Sequence, residues 1–143
     1  MCISLDGSVF DTAWTGIIAA LRDTKLPLAK WDTDTERVVC EHEYRSLEMR
    51  DLVFAASFGV VEAEDEGEGG EKLEIERWCL SELDEFEEGV CDERVSVVVR
   101  EDGRVVKVDA SGGTADVVGL VGLCVGKARE RCKELVNLVK ASA

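Results

Sequence analysis

Two valine-rich segments joined by an Asp-Gly turn decide the fold: Arg94-Val95-Ser96-Val97-Val98-Val99-Arg100, Glu101-Asp102-Gly103-Arg104 and Val105-Val106-Lys107-Val108. β-Branched residues favour extended backbone, and Asp-Gly between two such segments is a strong signal for a hairpin. The sequence therefore predicts strands over residues 94–100 and 105–108 that pair with each other.

Upstream of this hairpin, residues 37–41, 52–61 and 77–80 also have the composition of strands. Residues 52–61 are almost continuously apolar, which is typical of a central strand buried on both faces. A short leading strand is predicted over residues 2–5.

Two segments have helical periodicity. The first covers about residues 9–24, where Ser8 and Asp11 have the spacing of a capping box and Leu26-Pro27 is predicted to stop the helix. The second follows Gly112-Gly113, with Thr114 as the predicted N-cap. Its apolar stripe comprises Val117, Leu120, Val121, Cys124, Ala128, Cys132, Leu135 and Val139.

Three glycines interrupt the second helix at spacings of three and four residues: Gly119, Gly122 and Gly126. Glycine in a helix interior costs up to about 1 kcal/mol relative to alanine, so these positions predict close approach to the sheet or to a neighbour. The element order β-α-β-β-β-β-β-α predicts one α+β domain over residues 1–143. In it two main helices pack on a mixed β-sheet.

The net charge of −14 is concentrated in one region. Residues 62–93 contain fifteen acids and two basic residues, whereas the rest of the chain contains sixteen acids and fifteen basic residues. The glycine-rich part at about 62–76 is predicted to be a solvated loop insertion. The alternative is an acidic lure for a basic partner, or a mimic of nucleic-acid phosphate.

Several classes of protein are disfavoured by the sequence. No apolar run is long enough for a membrane span, and the N-terminus lacks the pattern of a signal peptide, so an intracellular, soluble protein is expected. The six cysteines include no Cys-x-x-Cys pair and are predicted to be reduced core residues. His42 is predicted to be a surface residue of a strand edge, and Gly112-Gly113 lacks the residues of a phosphate-binding loop.

Three groups of residues occur in an order that resembles the second half of an RNase PH-like subunit of the eukaryotic RNA exosome. They are Leu5-Asp6-Gly7-Ser8-Val9-Phe10-Asp11-Thr12-Ala13-Trp14, then Ala56-Ser57-Phe58-Gly59-Val60, then Asp109-Ala110-Ser111-Gly112-Gly113-Thr114. Leu83-Asp84 with Glu87-Glu88 lies between the last two groups. The resemblance implies a sandwich like the C-terminal domain of RNase PH.

The resemblance also implies a loss of catalysis. Active relatives carry two carboxylates at this acidic run, the second six residues after the first, and this register puts Glu88 at the first position and Arg94 at the second. The arginines that hold phosphate in those relatives belong to the first half of the subunit. The chain is therefore expected to have no catalytic residues and no cofactor.

The function that follows is a non-catalytic structural subunit of the exosome core ring, supporting 3'-to-5' processing and degradation of rRNA and mRNA. Its implied partners are other RNase PH-like ring subunits and RNA-binding cap subunits, with RNA reached indirectly through the ring and no membrane. The implied location is the nucleus, nucleolus and cytoplasm. The alternatives are an acidic adaptor acting through residues 62–76 and a phosphorolytic 3'-exoribonuclease half-subunit.

Two sets of binding residues are candidates. No metal site is expected. The alternative is that Glu88 and Asp92 contribute oxygen ligands to a divalent cation. Contact with RNA is considered for the basic residues of the last helix, which otherwise form its solvated side: Lys127, Arg129, Arg131 and Lys133.

Overall fold

A computed structural model describes residues 6–63, 76–112 and 117–141. Its helices are α1 (Val9–Asp23), α2 (Glu85–Val90) and α3 (Val117–Ala141). Its strands are β1 (Lys25–Asp32), β2 (Arg37–Ser46), β3 (Val53–Ala63), β4 (Glu76–Ser81), β5 (Glu93–Arg100) and β6 (Val105–Ser111). The α+β class is confirmed.

The strands form two sheets, one of four strands in the order β4-β3-β5-β6 and one of two strands, β1 and β2. Every pairing among the described strands is antiparallel, so the prediction of a mixed sheet was wrong in that detail. Short turns join β1 to β2 and β5 to β6. The connection from β4 to β5 contains α2, and these two strands lie on opposite sides of β3 and do not pair with each other.

The predicted hairpin is confirmed. β5 and β6 pair from Arg94 opposite Ser111 to Val99 opposite Val105, with a register irregularity between Val98 and Val99. Gly103 has φ of 84°, a left-handed conformation that glycine adopts without steric cost, and its amide donates to the carbonyl of Arg100 at 2.8 Å.

β3 is the central strand, as predicted, and the core lies between it, β5 and α3. Alternation along β3 directs Phe54, Phe58 and Val60 to the face that α3 covers, together with the valines of β5. Burying side chains of this size stabilises the fold by roughly 1.5–3 kcal/mol each. The buried members of α3 are Leu120, Cys124, Ala128, Cys132 and Val136.

The opposite face of β3 carries α1. The indole nitrogen of Trp14 donates to the carbonyl of Val53 at 2.7 Å. The carboxylate of Asp11 accepts from the amide of Ser57 at 2.6 Å and from its hydroxyl at 2.9 Å. The four-stranded sheet is thus held between two helices, one on each face.

The capping box predicted at Ser8 and Asp11 was wrong. Ser8 is the N-cap residue, but its side chain makes no capping hydrogen bond with the described residues. The reason is that the Asp11 carboxylate is directed across to β3 and is used there, which the local spacing does not reveal.

β1 was missed, because Leu26-Pro27 was read only as a helix stop. α1 does end at Asp23, but the chain continues directly into an extended strand that contains Pro27. The pairing with β2 is irregular between Pro27 and Ala29, as expected where proline cannot donate to the ladder. β2 is correspondingly longer than the predicted residues 37–41.

The short helix α2 was also missed. Asp84 accepts from the amide of Glu87 at 2.7 Å, and the Glu87 carboxylate accepts from the amide of Asp84 at 3.0 Å. This reciprocal pair is a capping box, and it converts part of the acidic run into one and a half turns of helix.

Two predictions about α3 have different outcomes. Its apolar stripe is confirmed from Leu120 onwards, and Cys124 and Cys132 are buried on it. Gly119, Gly122 and Gly126 are exposed, and a Cβ added at Gly122 or Gly126 would meet open space. The predicted close approach to the sheet was therefore wrong, whereas approach to a neighbour stays a prediction. These glycines lie away from the sheet.

Other predictions concern the cysteines and the aromatic residues. Cys79 is buried, Cys91 is half-buried, and Cys40 is exposed on β2, so the core assignment was wrong for Cys40. His42 is exposed on β2, as predicted. Phe54, in the predicted strand over residues 52–61, is part of the core.

The leading strand over residues 2–5, Thr114 and most of the acidic insertion lie outside the described residues. Within the described ranges, β3 extends to Ala63 and β4 begins at Glu76. In this part of the chain none of the helices has both the length and the apolar character needed to cross a bilayer.

We expect Asp11→Ala to reduce the free energy of unfolding by about 1–3 kcal/mol, because the Ser57 amide and hydroxyl lose their acceptor. Asp11→Asn, which retains one acceptor oxygen, should lose less. Chemical denaturation measures both values.

Asp23→Ala is the matched control, because Asp23 is exposed at the C-terminal end of the same helix. Removing a negative charge from this end should leave stability unchanged or raise it by up to about 1 kcal/mol. Equal losses for the Asp11 and Asp23 variants would contradict the role given to Asp11.

Candidate functional site

A groove of about 280 Å³ lies where the start of α1 meets α2 and the beginning of β5. Both polar or charged and apolar residues line it. Its lining residues are Gly7, Ser8, Val9, Phe10, Ser57, Phe58, Leu83, Glu88, Arg94 and Ser96. Glu88 and Arg94, the two positions at which the resemblance implies carboxylates in active relatives, therefore line one groove.

Glu88 and Arg94 are paired within it. One guanidinium nitrogen of Arg94 donates to the backbone carbonyl of Glu88 at 2.7 Å, and another lies 3.6 Å from the Glu88 carboxylate. The Arg94 side chain is 54% exposed, so this ion pair contributes at most about 1 kcal/mol to stability. Its chemical effect is that a cation occupies the space beside Glu88, where two carboxylates would be needed to share a metal ion.

The carboxylate of Asp92 is directed towards β3. Its carboxylate accepts from the amide of Glu62 at 3.4 Å, and its own amide donates to the carbonyl of Val60 at 3.0 Å. Asp92 thus attaches the start of β5 to the end of β3. Within the described ranges, no three His, Cys, Asp or Glu side chains are grouped as metal ligands.

The floor of the groove contains a hydroxyl network that sequence reasoning missed. The Ser57 hydroxyl, held by Asp11, lies 3.0 Å from the hydroxyl of Ser96. Ser57 and Ser96 are direct cross-strand partners in the β3–β5 register. The only signal in the sequence was a serine in each of two otherwise apolar strands.

A second depression of about 260 Å³ adjoins the groove and shares Phe10, Arg94 and Ser96 with it. Along β6 it is bordered by Lys107 and Asp109, whose side chains form an ion pair at 2.8 Å. The hydrogen bond from the Lys107 ammonium lowers the pKa of Asp109. Both side chains are mostly exposed, so this edge of the sheet presents paired charges to solvent.

Glu93 has an unusual environment for an acidic residue. It is 6% exposed, and its Oε1 has no hydrogen-bond partner among the described residues. A Cβ added at Gly112 would contact its side chain, so the two backbones lie close together. In the sequence Glu93 is indistinguishable from the solvated acids around it, and only the strand alternation of β5 places it on the buried face.

The four basic candidates on α3 do not form one patch. With 3.6 residues per turn, Lys127 and Arg131 share one side of the helix, and Arg129 and Lys133 lie roughly opposite. Lys127 donates to the carbonyl of Cys79 at 2.7 Å, and Arg129 donates to that of Gly103 at 2.9 Å. Arg131 pairs with Glu82. Three of the four are thus engaged in packing α3, and their contact with RNA stays a prediction.

Comparison with known proteins shows what this chain is similar to. No protein-family model matches the chain. The α+β architecture is compatible with the C-terminal part of an RNase PH-like subunit, and the resemblance predicted from the sequence is confirmed by a curated relative.

That relative is the exosome complex component rrp43 of Schizosaccharomyces pombe (strain 972 / ATCC 24843). The two sequences are 31% identical over 132 residues, which cover 92% of this chain and 44% of the relative. The chain therefore spans less than half the length of the protein that it matches.

Gly7 sets the distance between α1 and α2 at the groove. Its φ is 94°, and an added Cβ would collide with the backbone carbonyl of Leu83. We expect Gly7→Ala to reduce the free energy of unfolding by about 1–3 kcal/mol, because neither the backbone angle nor the space accommodates a methyl group.

Gly16→Ala is the control in the same helix. A Cβ at Gly16 meets nothing within 4 Å, so this change should raise stability by up to about 1 kcal/mol. Denaturant titration compares the two variants, and a Gly7→Ala protein as stable as the Gly16→Ala protein would exclude the close contact.

Proposed function

We propose that this chain is a non-catalytic, structural part of the core ring of an RNA exosome. The observation that carries the proposal is the Glu88–Arg94 pair, combined with the similarity to an exosome component. At the two positions where active relatives are expected to carry carboxylates, this chain has opposite charges that neutralise each other.

The chemistry of phosphorolysis supports a non-catalytic role. Attack of phosphate on an RNA phosphodiester brings two anions together and requires cations to offset their repulsion. Within the described residues of the groove, Arg94 is a cation but is paired with Glu88, and Asp92 is turned towards β3. The geometry therefore favours scaffolding over catalysis, with no cofactor.

The two-stranded sheet is the surface that best fits contact with another subunit. Trp31 and Val38 are cross-strand partners, so their side chains share one face, and they are 62% and 60% exposed. Tyr44 is equally exposed further along β2. Aromatic residues are enriched in protein interfaces, and this hairpin presents two of them.

The partners in this proposal are other RNase PH-like ring subunits and RNA-binding cap subunits. RNA is reached through the assembled ring, and the locations are the nucleus, nucleolus and cytoplasm. The assembly then acts in 3'-to-5' processing and degradation of rRNA and mRNA. The alternative function is an acidic adaptor that acts through residues 62–76. The assembly experiment distinguishes this adaptor from a ring subunit.

The activity prediction concerns the purified chain with a 3'-tailed RNA, inorganic phosphate and Mg²⁺. We expect no release of nucleoside diphosphates above a protein-free blank, measured by chromatography, because the groove has a paired cation where a second carboxylate is required. An active phosphorolytic exoribonuclease in parallel validates the assay. Release that falls in Glu88→Ala would establish a phosphorolytic half-subunit instead.

The assembly prediction concerns the double variant Trp31→Ser, Val38→Ser. Its unfolding free energy should change by no more than about 1 kcal/mol, since only an exposed cross-strand pair is lost. Its co-purification with the other ring subunits should fall about tenfold or more, because a central aromatic anchor is removed.

Leu138→Ser is the matched control, since Leu138 is 66% exposed but lies on α3. It should co-purify as the unmodified chain does. Retention of the ring subunits by the double variant, with partner loss on deleting residues 67–71, would support the acidic adaptor.

A further inference from the structure

Two buried thiols lie against each other outside the groove. Cys79 on β4 and Cys124 on α3 have their sulfur atoms 3.5 Å apart, and they are 9% and 0% exposed. The contact joins an edge strand of the sheet to the helix that covers it. These residues are 45 positions apart in sequence, so only the fold brings them together.

A cation lies beside this pair. Lys127, less than one helical turn after Cys124, donates from its ammonium to the backbone carbonyl of Cys79 at 2.7 Å. The hydrogen bond from the Cys124 thiol, assisted by the Lys127 charge, lowers the pKa of Cys79 and opposes the effect of burial. The same shared proton raises the pKa of Cys124. The arrangement favours one thiolate next to one thiol, and the thiolate is the nucleophilic form of cysteine.

The other described cysteines lack such an arrangement. Cys132 is buried on the same face of α3, but its sulfur lies 3.6 Å from the carbonyl oxygens of Val99 and Arg100, and burial raises its pKa. Burial also raises the pKa of Cys91. Cys40 is exposed on β2, far along the chain from both members of the pair. Among the described cysteines, the thiol–thiol contact is specific to Cys79 and Cys124.

We propose that Cys79 and Cys124 are a redox modification site, which a peroxide converts to a reversible intramolecular disulfide. The Cys79 thiolate attacks one peroxide oxygen, the O–O bond breaks, and a sulfenic acid forms with release of water after protonation. The Cys124 sulfur then attacks the Cys79 sulfur, the S–O bond breaks, and the hydroxyl leaves as a second water with the thiol proton. Two thiols are oxidised, and one hydrogen peroxide is reduced to two waters.

The fold accommodates the product with a small movement. An S–S bond is about 2.05 Å long, so the sulfurs must approach by about 1.5 Å, which side-chain rotation and a slight shift of the edge strand can provide. The bond closes a loop that contains α2, β5 and β6, and therefore also Glu88 and Arg94. Closing a long loop stabilises the native state by restricting the unfolded chain, so the oxidised protein is expected to unfold at a higher temperature. This inference is independent of the proposed function.

The experiment treats the full chain carrying Cys40→Ser with hydrogen peroxide, blocks remaining thiols with N-ethylmaleimide under denaturing conditions, and maps disulfides by mass spectrometry. The Cys40 change removes cross-links between molecules through this exposed thiol. The expected result is a peptide pair joined through Cys79 and Cys124 that dithiothreitol separates, and a thermal midpoint raised by several degrees relative to the reduced protein.

Cys79→Ala should abolish both the cross-linked peptide and the rise in thermal midpoint, whereas Cys132→Ala, an equally buried control on α3, should retain both. The mapping of the Cys40→Ser chain alone decides the question if either further variant folds poorly. If Cys79 and Cys124 both carry N-ethylmaleimide after peroxide treatment, the proposal is overturned. Oxidation of Cys79 to a sulfinic acid without a cross-link would also overturn it.

Discussion

The hydrogen bonds from Ser57 to Asp11 determine how the rest of the structure is arranged. β4 pairs with β3 only from Phe58 onwards, so among the described strands the preceding part of β3 has no partner on that side. The Asp11 carboxylate accepts from the Ser57 amide at this point, where an unsatisfied buried donor would cost about 1–3 kcal/mol. The same contact fixes α1 on the face of β3 opposite α3, and with it the position of the groove.

The properties of the groove follow from the alternation of β5. Arg94 and Ser96 face the side of α1, whereas Glu93, Val95 and Val97 face α3. The residue at position 94 therefore lies on the exposed, polar side of the sheet. Since Arg94 pairs with Glu88 at the surface, the identity of the residue at this position bears on the groove and leaves the core between the sheet and α3 unchanged.

Sequence reasoning succeeded where the signal is local and periodic. The Asp102-Gly103 hairpin, the central strand β3 and the stripe of α3 follow from turn chemistry and from periods of two and 3.6 residues. It failed where a residue is engaged by a distant element. Asp11 has the spacing of a cap but is held by Ser57, and Pro27 is tolerated in β1 because the ladder is irregular there. The glycines of α3 were wrongly predicted to approach the sheet. A glycine in a helical pattern does not indicate which face of the helix is packed.

The two-stranded sheet depends on its surroundings more than any other described element. An isolated hairpin is marginally stable in water. In this one a hydrogen bond from the amide of Leu47 to the carbonyl of Thr24 at 3.0 Å closes the base of the two strands, directly after α1. Most of its side chains are exposed, and few of them contribute to the core. Its cross-strand pair of Trp31 and Val38 therefore gains more from burial against another protein than from the contacts that it makes within the chain. The four-stranded sheet, by contrast, is packed against α1 on one face and α3 on the other.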